Sequence, residues 1–162
     1  MEMQDVGSVR NRAEDEVKRW AGRMAPSLAD IEVLADEALA QLPETFRALC
    51  RGVVLTIEDF PDDETIEEMQ LESPFDLLGL FRGHGLAQQG AGPLSGQMPN
   101  MVFLYRRPIL DSWAEHEETL GAIVTHVLVH EIGHHFGLSD EDIEAIENDV
   151  GDPGSGARGA FQ

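Results

Sequence analysis

Residues 130 to 134 read His-Glu-Ile-Gly-His, the H-E-x-x-H spacing that on a helix assembles the parts of a metal-dependent hydrolase. Four residues of α-helix advance by about 400° and roughly 6 Å, so His130 and His134 present their imidazoles on one face, at a separation one ion can bridge. Neutral imidazoles suit zinc, and a catalytic zinc takes three protein ligands and leaves its fourth position to water. Glu131 projects beside that face, where its carboxylate can take a proton from an activated water and later return it. These residues predict a Zn2+ site with Glu131 as general base and His130 and His134 as ligands.

A third ligand is required, and the chain offers Asp140, six residues after His134, which extends the pattern to H-E-x-x-H-x-x-G-x-x-D. Gly137 can take positive φ, ending the helix and turning the chain back toward the metal. Asp140 is also the kind of acid that a helix dipole favours in a first turn, and it can serve both purposes. His126 lies one turn before His130 on the same face, but three successive ligands on one stripe span about 12 Å, too far to close around one ion. Packing or support of a ligand is the expected role of His126. His135 is rotated about 100° from His134 and faces elsewhere. His84 and His116 stay unassigned.

The elements that must position these residues follow from periodicity. Ala13, Val17, Trp20 and Met24 recur at helical spacing, and a second series runs Leu28, Ile31, Leu34, Ala35, Ala38, Leu39 and Leu42, with Ser27 and Asp30 as a capping box. Val53–Ile57 is apolar and β-branched over a strand's length, Asp59–Gln70 reads as loop plus short helix, and Leu77–Phe81 is a weaker strand. Residues 83 to 99 form a long Gly- and Pro-rich loop. Met101–Tyr105 reads as a strand, and the proline at 108 suits an edge or a terminus, so this strand is expected to receive a peptide, with Leu104 and Tyr105 as candidate substrate contacts. A helix is expected from about Glu117 to Phe136, and a last one opens at a Ser139/Asp142 capping box with Ile143, Ile146 and Val150 as its buried stripe. The mixture predicts one α+β domain over 1–150, with 1–12 flexible and 151–162 a disordered tail.

Composition excludes several classes. The 162 residues suffice for one domain, and no apolar run approaches the ~20 residues of a membrane span. With 31 acidic against 11 basic residues the net charge is −20, which repels nucleic acid and anionic membranes; its generic role is solubility. A single cysteine, Cys50, excludes an internal disulfide, and the first 15 residues do not resemble a secretory signal, so cytoplasm is the expected compartment.

The segment H-E-I-G-H-H-F-G-L-S-D at 130–140 resembles a family of small bacterial zincin-like metallopeptidases, the minimal zincins. Leu104-Tyr105-Arg106-Arg107-Pro108-Ile109-Leu110 looks like the strand-to-helix passage upstream of their active helix, and Leu78-Gly79-Leu80-Phe81 is similar to their preceding segment. The resemblance covers roughly Val53 to Val150. It implies a compact α+β fold in which a small mixed sheet packs on helices, including the one bearing the motif, and an edge strand borders the metal cleft. The spacing also resembles metzincins, but those use a third histidine and a downstream methionine turn, and here all six methionines precede His130.

Three functions compete on these grounds. The first is a zinc metallopeptidase acting on a peptide or protein substrate. The second is a metal-binding regulatory or interaction domain that keeps zincin geometry without appreciable cleavage. The third, a structural metal, fits least, because structural zinc is closed by four protein ligands.

Overall fold

The computed structural model describes residues 6–83 and 99–150. The chain opens with α1 (Val6–Ala21), and a break at Pro26 precedes α2 (Leu28–Gln41). The predicted capping box starts α2: Ser27 Oγ accepts from Asp30 N–H at 3.1 Å, and Asp30 Oδ2 accepts from Ser27 N–H at 2.8 Å. The short α3 (Glu44–Leu49) leads into β1 (Val54–Glu58), and α4 (Asp63–Glu68) follows, capped by Asp62, which accepts from Thr65 N–H at 2.8 Å. A 3-10 turn at Pro74–Asp76 precedes β2 (Gly79–Arg82). β3 (Met101–Tyr105) then runs directly into α5 (Arg106–Glu115), and α6 (Leu120–His135) and α7 (Asp140–Val150) complete the described chain.

Among the described residues three strands form one mixed sheet in the order β1-β3-β2. β1 lies parallel to β3, with Val54 opposite Met101 and Glu58 opposite Tyr105; β2 lies antiparallel, with Gly79 opposite Leu104 and Arg82 opposite Met101. The expectation that Met101–Tyr105 is an edge strand is therefore corrected: β3 lies between β1 and β2, and among the described residues β2 is an edge. The proline taken as an edge signal belongs to the next element. Pro108 is the third residue of α5, where a missing N–H costs nothing because first-turn amides have no intrahelical partner.

The fold is α+β, with α6 at its centre. This helix contacts α2, α5, α7, β2 and β3, and it is apolar on nearly every side, as a helix enclosed by neighbours must be. Ile123, Val124, Val127, Leu128 and Ile132 of α6 meet Ile31 and Ala35 of α2, Val102 and Leu104 of β3, and Ile109 of α5 in one core. Thr119 caps α6, accepting from Ala122 N–H at 3.1 Å, so the helix starts three residues later than its pattern predicts and Glu117 and Glu118 stay outside it.

The predicted N-terminal helix exists, but Val9, Val17, Trp20 and Met24 are all exposed and the helix ends before Met24. Helical spacing specified the element and not a burial partner. Residues 1–5, the segment 84–98 with His84, and the tail 151–162 lie outside the described residues. Residues 6–12, expected to be flexible, are the first part of α1. Among the described residues no helix is long and apolar enough to cross a membrane.

Candidate metal centre

The local chemistry of residues 133–143 folds α7 back onto the end of α6. Gly137 has φ 81°, the left-handed conformation that glycine adopts at no steric cost. Its N–H donates to His134 O at 3.1 Å and Leu138 N–H donates to Gly133 O at 2.9 Å, the bond pair of a Schellman motif. Two residues on, Ser139 and Asp142 form the predicted capping box: Asp142 N–H donates to Ser139 Oγ, and Ser139 N–H to Asp142 Oδ2, both at 3.2 Å. The Ile143 side chain then lies over Gly133, where an added Cβ would stand 3.0 Å from its Cγ1.

This reversal brings Asp140 to His134, with His130 one turn away, whereas among the described residues the three donors that lie within 4.8 Å of one another are those of His126, His130 and Glu147. The His130 and His134 rings are 5.2 Å apart, and His134 Nε2 lies 3.2 Å from Asp140 Oδ1. Partial burial lowers the pKa of His130, and the neighbouring His126 acts in the same direction. That shift favours the neutral ring, the form that offers a lone pair to a metal. Two imidazoles and a carboxylate offered by adjacent helices are a donor set whose chemistry fits zinc, the ion the motif implies.

Glu131 lies on the His134 side of His130 around the helix, against the sheet. Tyr105 N–H donates to Leu78 O at 2.9 Å, and because antiparallel ladders alternate, the main-chain groups of Gly79 and Phe81 aim away from β3. The Phe81 N–H there donates to the Glu131 carboxylate. Burial pushes the Glu131 pKa up, against the opposing pull of that hydrogen bond and of His134. A carboxylate with raised affinity for protons is suited to take one and return it. β2 comes this close because residue 79 has no side chain: a Cβ there would stand 2.5 Å from Val127 Cγ1 and 3.0 Å from Phe103 O. Between β2 and α6 opens a cavity of about 410 Å³, lined among others by Leu78, Gly79, His116, His126, His130 and Glu131.

Other residues singled out from the sequence fall elsewhere. Leu104 and Tyr105 are 0% and 2% exposed and do not line that cavity. The Tyr105 hydroxyl is hydrogen-bonded with Thr65, and burial, with the Glu58 charge, pushes its pKa up to about 12. Arg106 pairs with Asp59 at 3.0 Å and also donates to Pro26 O, while Arg107 lies over the Phe60 ring. His135 stacks on Phe81 with ring centroids 3.9 Å apart, on a different face from His134, as its rotation predicts. His116 reaches the cavity, with Nδ1 2.8 Å from Ser112 O.

One residue escaped sequence reasoning. His126 Nδ1 is 2.7 Å from Glu147 Oε1, and His126, His130 and Glu147 each bring one donor atom within 4.8 Å of the others. Glu147 stands seven residues after Asp140, two helical turns along α7. The signal was present as a second carboxylate in step with the first, but it has meaning only once α7 is known to lie alongside α6.

A family model described as zincin-like metallopeptidase matches residues 50–150. The chain belongs to that family. The match takes in the three described strands, the motif helix and α7, and leaves out α1, α2 and α3. Comparison with curated proteins finds no match.

Proposed function

We propose that this zincin-like protein is a zinc-dependent peptidase, with His130, His134 and Asp140 holding the ion and Glu131 acting as general base. The observation that carries the reading is the convergence at His130. One turn along from it His134 pairs with Asp140, and next to it stands Glu131, a partly buried, proton-seeking carboxylate held by the Phe81 N–H of β2 and near enough to His134 to feel its charge. Zinc, when bound, supplies Lewis acidity toward a carbonyl and toward water. The chain's own residues do the rest. Glu131 accepts a proton as water attacks the scissile carbonyl and delivers it to the departing amine. The Phe81 N–H holds the Glu131 carboxylate against β2, so the base is positioned before substrate arrives. Among the described residues no strand pairs with the outer side of β2, so its main-chain groups at Gly79 can pair with an extended peptide, and the 410 Å³ cavity gives it room beside His130.

Digestion of an unbiased peptide library by zinc-replete protein tests the reading. Wild type is expected to generate new peptide termini, chelation to stop it, and Glu131→Gln to reduce turnover at least about a hundredfold while retaining zinc. Turnover undiminished in Glu131→Gln sinks the mechanism. A wild type that binds zinc and cleaves nothing favours a metal-binding interaction domain with the same geometry.

A further inference from the structure

The α6–α7 seam holds more donors than one ion can use. His126 and His134 lie eight residues apart, roughly 12 Å along the helix axis, so they cannot share an ion. His130 stands midway, and α7 presents a carboxylate on each side of it, Asp140 beside His134 and Glu147 beside His126. The His126 and His130 rings are 4.1 Å apart, closer than the 5.2 Å between His130 and His134. The second set is also better enclosed: the side chains of His126 and Glu147 are 27% and 25% exposed, against 50% and 87% for His134 and Asp140.

We propose that His126, His130 and Glu147 form a second divalent-cation site that competes with the His134–Asp140 side for His130, so that the ion occupies either a hydrolytic or a non-hydrolytic position. The proposal rests on the reading above, which defines the hydrolytic side. One donor atom from each residue already lies within 4.8 Å of the others, and an ion bound at about 2.0–2.2 Å from nitrogen and oxygen draws such a set together by side-chain adjustment of about 1 Å. Imidazoles with one carboxylate select borderline ions such as Zn2+, Co2+ or Ni2+. The site is non-hydrolytic because of its bearing on Glu131. Around the helix Glu131 lies about 60° from His134 and about 140° from His126, so water on an ion at the His126 side points away from the base. A hydrogen-bonded pair joining two helices would account for His126 and Glu147, but it leaves unexplained why both carboxylate-bearing sides converge on the His130 ring.

Cobalt(II) titration of the full chain, followed by visible absorption and equilibrium dialysis, tests this without any activity readout. The double variant His134→Ala, Asp140→Ala lacks two of the three hydrolytic ligands and is expected to bind one Co2+ per chain. Adding Glu147→Gln, or separately His126→Ala, should weaken that binding by more than the 10–100-fold that outer-shell changes cost. The proposal is overturned if the double variant, folded by circular dichroism, binds no Co2+. It is also overturned if binding ignores both added substitutions, or if wild type takes up two equivalents. Glu147→Gln alone should still bind one equivalent at the hydrolytic side. Loss of binding there, with the double variant still binding, leaves the His126 site standing and removes the hydrolytic assignment instead.

Discussion

Gly79→Ala probes the joint on which the site depends, the approach of β2 to α6. The new methyl would stand 2.5 Å from Val127 Cγ1, so about 1 Å of movement is needed to reach ordinary contact; Phe103 O, at 3.0 Å, belongs to the neighbouring strand and cannot retreat without disturbing the ladder. Overpacking of this kind costs about 1–3 kcal/mol, and the backbone contact puts this case near the upper end. Val127→Ala alone removes two buried methyl groups and costs about 2 kcal/mol with its cavity. In the double variant the removed Cγ1 makes room for the added methyl, so the total should fall short of the sum by about 1–2 kcal/mol. Urea unfolding followed by circular dichroism measures all four corners of the cycle. Additivity within ~0.5 kcal/mol would refute the claim that the helix presses on the strand at this point.

Other consequences are simpler to check. Gly137→Ala forces a side chain into the left-handed region at φ 81° and should destabilise by about 1–2 kcal/mol, read as a lower urea midpoint. Burial pushes the Cys50 thiol up to about 11, so a disulfide reagent at pH 8 should react slowly with native protein and rapidly once it is unfolded. Tyr105 is the only tyrosine, and its phenolate absorbance should rise toward about 12 rather than 10. Because the folded pKa lies above the unfolded one, its contribution to stability is complete below pH 10 and is lost as pH climbs toward 12. Ionisation of native Tyr105 near pH 10 would contradict its burial.

What could be read from the sequence was whatever is encoded locally. The H-E-x-x-H spacing, Gly137 as a helix stop, and both serine capping boxes depend on residues within one or two turns of each other, and each appears where its pattern puts it. Strand order does not have that character. Nothing between Met101 and Tyr105 says which neighbours it pairs with, and Pro108 carried a helix-start meaning that resembles an edge signal. Leu104 and Tyr105 went the same way, because a residue drawn to an edge on paper became interior once β2 paired beside it. The Phe81 contact to Glu131 and the Glu147 contact to His126 join elements distant in sequence, and only packing brings them together.

Zinc content after dialysis against nanomolar free zinc, compared between wild type and His130→Ala, tests the metal centre most directly. His130 is the one ligand common to both sides of the seam, so wild type should retain one zinc per chain. His130→Ala, left with two donors on each side, should retain essentially none while staying folded. Stoichiometric zinc in His130→Ala would contradict the account.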